Sequence, residues 1–373
     1  MRRSPRLFAA TGIVLAGLLV AGCVSRPTET AESRTLLPME AVSVDASSAQ
    51  VLPKRVDDDG IHAILALSAG GADGAYGAGV LKGWTESGAR PVFDVVTGVS
   101  TGALMAVLAF LGPEYDEQLE RFYTTQKNET IFIKAASAAS LYDNAPLKKQ
   151  IEEFITDDTL ARVAAEHDRG RRLFVATTNL DAGELVIWDM GEIAKGGRSD
   201  SRLHFQKVLR ASAAVPAYFA PVYIKPQRGL QLRQAHVDGG VKSPVLVSSF
   251  MFPTGKVSKH LYMVINGNTA RQNAVKPVKG DLADIAKKSI VELMRGLQSE
   301  TIYRNYALAR NAGAEFRMTA IPDSIPPAQE SLNFDSKRMR KLFEAGLADG
   351  RKGPKAWRTT PPNLTQLETL ASN

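Results

Sequence analysis

Short apolar runs alternate with stretches of helical periodicity from about residue 60 onward. The predicted elements are strands at residues 61–68, 93–97, 172–179 and 184–189 and helices at residues 103–108, 115–127 and 147–155. The last two strands are separated only by a short turn, Asp181-Ala182-Gly183, and therefore predict a hairpin. Strands that alternate with helices favour an α/β sandwich with a mainly parallel sheet.

The C-terminal third has one clear apolar period. Apolar side chains recur at helical spacing between residues 282 and 297, which predicts a helix with its apolar stripe against the core rather than on a membrane. The stripe consists of Leu282, Ile285, Ala286, Ile290, Leu293, Met294 and Leu297. Prolines at 322, 326 and 327 then break the pattern, and a final helix is predicted at residues 336–347.

The N-terminus has the order of features typical of a secretory signal. Three arginines precede an apolar stretch at residues 7–21, which is too short to span a membrane comfortably, and small residues lead to Cys23. This arrangement resembles the lipobox of bacterial lipoproteins, in which the cysteine becomes the lipidated first residue. Since Cys23 is the single cysteine, no internal disulfide can form.

These features divide the chain into four parts. We expect a signal peptide at residues 1–22, a lipidated and flexible tether at 23–59, a folded domain at 60–350 that becomes helical from about 276, and a tail at 351–373. In lipoproteins of enteric bacteria, an acidic residue after the lipidated cysteine tends to hold the protein in the inner membrane, and Val24 and Ser25 are not acidic. The resemblance therefore implies a location in the bacterial cell envelope, lipid-anchored in the outer membrane and facing the periplasm.

The net charge gives little support to a nucleic-acid role. The chain has a formal charge of +7, but without the three signal arginines 43 basic residues face 39 acidic ones. The remaining charge is spread without a long cationic block. No cluster has metal-ligand spacing, and neither a metal nor a cofactor is predicted.

A candidate nucleophile lies between the second strand and the following helix. Ser100 stands in Gly98-Val99-Ser100-Thr101-Gly102, and a serine at a sharp strand-to-helix turn needs small neighbours on both sides. The amino terminus of the helix adds positive potential for a developing oxyanion.

A glycine-rich loop follows the first strand directly. Residues 69–79 contain five glycines, which leave several backbone N–H groups free to face one cavity. The predicted oxyanion hole is formed by Gly70, Gly71, Ala72 and Gly74. A dinucleotide or nucleoside triphosphate loop is the competing interpretation, but neither the Gly-x-Gly-x-x-Gly spacing nor a Gly-Lys-Ser/Thr ending is present.

Two candidates for the base remain open from the residues alone. Asp238 precedes Gly239 and Gly240, a pattern that is most often only a turn but becomes a candidate base beside Ser100. In an ordinary Ser-His-Asp esterase, His260 is the histidine that follows Asp238 in the chain, with Asp181 or Asp238 orienting it.

Taken in order, these motifs resemble the patatin-like phospholipases. Further similarity lies at residues 177–184 and 211–222, and the match runs from about residue 61 to 247, with weaker likeness at 333–335 and 339–350. The resemblance implies a three-layer α/β/α sandwich and a Ser-Asp dyad with Ser100 as nucleophile and Asp238 as base. It also implies a serine acyl hydrolase of phospholipase A or lysophospholipase type that cleaves fatty-acyl esters of membrane lipids.

The glycine loop departs from the family pattern at two positions. Where the family usually has Gly-Gly-Gly-x-Arg/Lys-Gly, this chain has Ala69 at the first glycine and Asp73 at the basic position. We expect Asp73 to cap the following helix, because an acid facing the oxyanion would oppose catalysis. The departure also keeps open a second class of function, a membrane-anchored lipid-binding or scaffold lipoprotein with little turnover.

Overall fold

The computed structural model describes residues 41–43, 60–135, 140–196, 200–225, 233–269, 278, 280–328 and 332–362. The predicted signal peptide, Cys23 and the residues after 362 lie outside these ranges. Within the segment predicted as a tether, residues 41–43 form an edge strand. Among the helices in the described ranges, none is both long and apolar enough to cross a bilayer.

Nine of the described strands form one mixed sheet. The strands are β1 (Ala41–Ser43), β2 (Ile61–Leu67), β3 (Val95–Gly98), β4 (Ile133–Lys134), β5 (Tyr142–Asp143), β6 (Arg172–Asn179), β7 (Glu184–Asp189), β8 (Val222–Ile224), β9 (Gln234–Asp238), β10 (Ser258–Asn268) and β11 (Glu315–Ile321). The sheet has the order β1-β7-β6-β3-β2-β10-β11. At the carboxyl-terminal end of β6, β9 pairs with β6 and β8 pairs with β9, while β4 and β5 form a separate pair. The central pairings from β6 to β11 are parallel.

Helices cover both faces of this sheet. They are α1 (Gly74–Glu86), α2 (Thr101–Leu111), α3 (Asp116–Thr125), α4 (Asn128–Ile131), α5 (Ala145–Phe154), α6 (Asp157–Asp168), α7 (Met190–Lys195), α8 (Ser201–Ser212), α9 (Leu282–Asn311) and α10 (Ser336–Lys352). The packing of α1 against α10 brings glycines of both helices together: a Cβ on Gly79 would lie 2.0 Å from the carbonyl oxygen of Phe343.

The central strands separate two apolar cores. In β2, Leu65 and Leu67 pack on the layer that contains α1 and α2, whereas Ile64 and Ala66 pack on the layer that contains the C-terminal half of α9. This alternation is what a strand buried on both faces requires, since successive side chains point to opposite sides. The three-layer α/β fold with a mainly parallel sheet is therefore confirmed.

The local predictions agree closely with these elements. The hairpin strands have the predicted bounds and pair antiparallel, from Phe174 opposite Asp189 to Asn179 opposite Glu184. The final helix is longer than predicted and continues to Lys352. Packing extends still further, because Trp357 is buried and contacts the ring of Trp84 edge-on at 4.8 Å between centroids.

The prediction that the apolar stripe of α9 faces the core is only partly right for the first half of this helix, where Ile290 and Met294 pack against the first core but other members of the stripe do not. Thr301, Ile302 and Ala309 are buried in the C-terminal half, but Leu282 and Leu293 in the N-terminal half are exposed. Periodicity identified the helix and its apolar side correctly. It could not reveal that four of the seven stripe residues, Leu282, Ile285, Leu293 and Leu297, are exposed, because that depends on the packing of the whole chain.

Candidate active site

Ser100 occupies a strained turn between β3 and α2. Its backbone has φ 58° and ψ −125°. Among the described non-glycine residues, only Ala217 also has a positive φ. Gly98 and Gly102 make the turn possible. A Cβ on Gly98 would lie 2.3 Å from the Gly102 carbonyl oxygen, and one on Gly102 would lie 2.4 Å from the Leu67 carbonyl oxygen. The predicted role of the two glycines is therefore explained by direct backbone contact.

Ser212, at the end of α8, holds this turn in place. Its Oγ accepts a hydrogen bond from the backbone N–H of Ser100 at 2.9 Å and donates one to the Ala176 carbonyl at 2.7 Å. Both groups are buried, so the link ties the strained residue to β6. Sequence reasoning did not single out Ser212, although it lies in the 211–222 segment that contributed to the family resemblance.

Asp238 ends β9 and is fully buried beside Ser100. The N–H of Gly240 donates to its Oδ1 at 2.7 Å, while its Oδ2 has no hydrogen-bond partner among the described residues. Its backbone is fixed by pairing with Thr177 of β6 and by a 3.0 Å bond from its N–H to the Ala214 carbonyl. The carboxylate is thus held rigidly with one oxygen unpaired.

Burial raises the pKa of Asp238 to about 7, because a charged carboxylate without nearby solvent is disfavoured. The Ser100 hydroxyl and the Gly240 N–H oppose this rise only in part. Ser100 is close enough to influence the carboxyl group, yet no hydrogen bond joins Ser100 to Oδ2 within the described residues. Such contacts are often long in enzymes without substrate and tighten when substrate binds.

The glycine-rich loop lines a cavity together with Ser100. In the described residues, the N–H groups of Gly70 and Gly71 are bonded to no acceptor, so both are available to a ligand. Asn266 on β10 shapes the loop: its Nδ2 donates to the Ser68 carbonyl at 2.8 Å, and its Oδ1 accepts from Gly77 N–H at 3.1 Å. A Cβ on Gly70 would lie 2.2 Å from the Asn266 carbonyl oxygen.

Two cavities meet at Ser100. The first is lined by both loop and helix residues: Ala69, Gly70, Gly71, Asp73, Ser100, Val215, Pro244, Asn266, Gly267, Asn268, Val291, Met294, Arg295, Gln298, Pro327 and Leu332. The second is mainly apolar and is lined by Gly71, Ser100, Thr101, Leu104, Phe122, Tyr123, Gln126, Ile131, Leu147, Ala213, Phe219, Leu332, Phe334 and Met339. Ser100 therefore lies between a first cavity lined by both polar and apolar side chains and a second cavity that is mainly apolar.

The expectation that Asp73 caps α1 is wrong. Its side chain makes no capping hydrogen bond, and its Oδ1 instead accepts from Nη2 of Arg338 on α10 at 3.1 Å. Burial raises the pKa of Asp73, and the charges of Arg338 and Arg295 oppose that rise. The ion pair wins over the cap because a buried carboxylate needs a cationic partner more than an N-terminal N–H group.

The structure does not bring His260 to Ser100. His260 pairs in register with Ala63 near the start of β2, whereas Ser100 follows the strand end at which Gly98 pairs with Leu67. Four residues of strand separate the two levels, or about 13 Å. His260 contacts Ser258, Tyr262 and Glu315. The ordinary triad with His260 is therefore excluded by topology.

Asp181, the other acid considered for that triad, lies at the hairpin turn, where its Oδ2 accepts from Ala235 N–H at 2.9 Å. Within the described ranges, no group of three or more His, Cys, Asp or Glu side chains is arranged to hold a metal ion.

The sequence that forms this site matches the model of a known family. The model of the family described as patatin-like phospholipase matches residues 65–251, half of the 373-residue chain. Ser100, Asp238 and the glycine loop from Gly70 onward all fall within that match.

Curated relatives are similar over the same part of the chain. The chain is 27% identical over 194 residues to a cGAMP-activated phospholipase of Escherichia coli strain TW11681, covering 48% of this chain and 51% of the relative. It is 35% identical over 106 residues to a cUMP-AMP-activated phospholipase of Escherichia coli, covering 28% of this chain and 33% of the relative. It thus spans about half or less of their length. Among solved structures, VipD from Legionella pneumophila is similar, with a TM-score of 0.42 and 12% identity over 87% of this chain and 71% of that one.

Proposed function

Because the chain belongs to the patatin-like phospholipase family, we propose that it hydrolyses fatty-acyl esters of membrane lipids, with Ser100 as nucleophile and Asp238 as general base. One observation carries this proposal. A serine in a strained elbow lies next to a buried carboxylate that has one unpaired oxygen and a pKa raised to about 7. A base poised near neutral pH is suited to accept the proton of a serine hydroxyl.

The first half of the reaction forms an acyl-enzyme. Asp238 accepts the Ser100 proton as Oγ attacks the ester carbonyl carbon, and the carbonyl electron pair moves to oxygen. The resulting oxyanion faces the N–H groups of Gly70 and Gly71, which have no acceptor among the described residues. The N–H of Gly74, also predicted as a donor, already donates to the Gly71 carbonyl. When the intermediate collapses, the alcohol portion of the lipid leaves with the proton from Asp238.

The second half returns the enzyme to its starting state. Asp238 accepts a proton from water, the hydroxide portion attacks the acyl carbon, and the fatty acid leaves as Ser100 regains its proton. His260 takes no part in either half, since it pairs with Ala63, four residues of strand before the level at which Ser100 lies.

The apolar cavity beside Ser100 suits the acyl chain. Its lining includes Leu104, Phe122 and Phe219, and it opens on the nucleophile and on Gly71 of the oxyanion loop. An acyl chain in this cavity would place its carbonyl between the serine and the loop. The first cavity, whose lining mixes apolar side chains with Asp73, Arg295 and Gln298, would then receive the alcohol portion of the lipid.

A serine-reactive fluorophosphonate probe tests the assignment of the nucleophile. We expect the purified protein to be labelled at Ser100, labelling to be lost in Ser100→Ala, and His260→Ala to label like the wild type. Peptide mapping identifies the modified residue. A protein that binds lipid vesicles but is not labelled would support the lipid-binding or scaffold alternative instead.

The substrate and ester position are tested by product analysis. The protein is incubated with phosphatidylcholine, lysophosphatidylcholine and a neutral glyceride, and released fatty acid and lysolipid are quantified by mass spectrometry. Release of lysolipid first supports phospholipase A action, and cleavage of lysophosphatidylcholine alone supports lysophospholipase action. Failure to release fatty acid from any of the three would contradict the proposal.

We also propose that Cys23 is lipidated and anchors the protein to the bacterial outer membrane. The support is the basic, apolar and small-residue order that precedes this cysteine. Metabolic labelling with an alkyne fatty acid should mark the wild type and not Cys23→Ser. A fully soluble, unlabelled wild type would overturn this assignment.

A further inference from the structure

The N-terminal half of α9 presents an exposed apolar face. Twelve large apolar side chains are exposed in the described residues, and four of them lie within sixteen positions of this helix. Leu282 is 84% exposed, Leu293 68%, Ile285 46% and Leu297 36%. Single exposed leucines are ordinary on protein surfaces, but a cluster on one element marks an interaction site.

These four side chains share one side of the helix. At 3.6 residues per turn they fall within a sector of about 120°, and the other residues in that sector, Ala286, Ser289 and Gly296, are also uncharged. The sector therefore forms a continuous stripe over about four turns of helix. We call it the outer face of α9.

The opposite side of the same helix lines the active-site cavity. Val291, Met294, Arg295 and Gln298 face the chamber that contains Ser100, on the side of α9 turned away from the outer face. The C-terminal half is fixed in the second core through Ile302 and Ala309. The helix is thus anchored at one end and roofs the catalytic pocket with the other.

We propose that the outer face of α9 rests on a phospholipid membrane, with its leucines among the acyl chains and the catalytic pocket held at the lipid surface. This inference rests on the proposed function, because a lipid ester must reach the pocket from a membrane. The outer face and the pocket lining lie on opposite sides of one helix, so docking of the first holds the second within one helix diameter, about 10–12 Å, of the lipid surface.

The charges of the helix favour a lipid surface of low net charge. Residues 282–297, which carry the outer face, contain three basic and two acidic side chains, and all five lie outside its sector. The next turn brings Glu300 into line with Leu282 and so ends the apolar stripe. The cations are paired along the helix: Lys287 with Asp284, and Lys288 and Arg295 with Glu292. Because the side chains that flank the outer face carry both positive and negative charges, they are suited to zwitterionic lipid headgroups. Insertion of the helix into the lipid is then driven by the apolar outer face. Binding should consequently depend little on salt concentration.

A single fluorophore on the outer face tests the inference. Cys23 is the one cysteine of the chain, so Leu293→Cys in a Cys23→Ser, Ser100→Ala background carries one thiol for an environment-sensitive nitrobenzoxadiazole label. Ser100→Ala prevents hydrolysis of the vesicles. On adding phosphatidylcholine vesicles, we expect label emission to shift to the blue and rise about twofold as the label enters the interface.

The matched control carries the label at Leu203→Cys on α8, another exposed leucine that lies off α9. Its emission should not change with vesicles. Equal responses at positions 203 and 293, or no response at 293, would overturn the inference. Emission at 293 that is already blue before vesicles are added would show that another part of this chain or a second copy covers the face, which also overturns it.

Hydrolysis separates this inference from the proposed function. Leu293→Asp should reduce hydrolysis of phosphatidylcholine vesicles about tenfold, because a carboxylate on the outer face opposes insertion. Hydrolysis of soluble p-nitrophenyl butyrate should be unchanged, and Leu203→Asp should behave as the wild type in both assays. If no ester is cleaved at all, the proposed function fails, whereas the fluorescence result still decides whether the outer face binds lipid.

Discussion

Two buried aspartates near Ser100 differ in their partners. Asp238 and Asp73 are both almost completely buried, and burial raises the pKa of both carboxyl groups. At Asp73 the guanidinium of Arg338 supplies a direct ion pair, whereas the described neighbours of the Asp238 carboxylate are a backbone N–H and the Ser100 hydroxyl. The comparison teaches that the presence or absence of a cation separates a structural carboxylate from one suited to act as a base.

The largest expected difference between the two is in turnover. Asp238→Asn preserves shape but cannot accept a proton, so hydrolysis of a soluble ester should fall about 1,000-fold. Asp73→Asn should retain most of the turnover, because Asp73 does not exchange a proton with Ser100. Steady-state kinetics of both variants provide the measurement. Comparable losses in the two variants would remove the distinction.

The second prediction concerns stability, where the same substitution should be beneficial. The folded pKa of Asp238, about 7, lies above the unfolded value of 3.8, so its contribution to stability is present below pH 3.8 and is lost as pH rises to about 7. At pH 8 the buried charge therefore costs on the order of 4 kcal/mol. Asp238→Asn removes that charge and should raise the free energy of unfolding at pH 8.

Denaturant unfolding at pH 5 and pH 8 measures this effect. The advantage of Asp238→Asn over the wild type should be larger at pH 8 than at pH 5. Ser100→Ala serves as the control, because it leaves the buried carboxylate in place. An Asp238→Asn variant that is less stable than the wild type at both pH values would contradict a buried, unpaired charge.

The smallest effect is expected at the ion pair. Asp73→Asn leaves the partly exposed Arg338 without its partner but also removes a carboxylate whose pKa burial raises, so the free energy of unfolding should change by no more than about 1–2 kcal/mol. A double-mutant cycle with Arg338→Met isolates the pair from other effects of each substitution. If the changes in the free energy of unfolding caused by the two substitutions are additive, the two side chains do not stabilise each other.

The sequence predicted those parts of the site that depend on neighbours along the chain. Ser100 and its flanking glycines were recognisable because the strained turn is built from five consecutive residues. The glycine loop and Asp238-Gly239-Gly240 were found for the same reason. The hairpin strands were predicted with their observed bounds because both carry a local strand pattern.

The parts that were missed depend on residues far apart in the chain. Arg338 lies 265 positions from Asp73, so the sequence around Asp73 could not indicate the ion pair that replaces the predicted helix cap. Asn266 and Ser212 support the loop and the turn through hydrogen bonds across 198 and 112 positions. The stripe of α9 was visible, but its direction is set by tertiary packing, which the helical period does not encode.

The central claim is that Asp238 is a carboxyl group that titrates near neutral pH. It is tested most directly by carbon-13 NMR of protein labelled at the aspartate carboxyl carbons, with the resonance assigned by its loss in Asp238→Asn. The account predicts a titration midpoint of about 7 for this carboxyl group. A midpoint near 4, the value of an ordinary exposed aspartate, would contradict it.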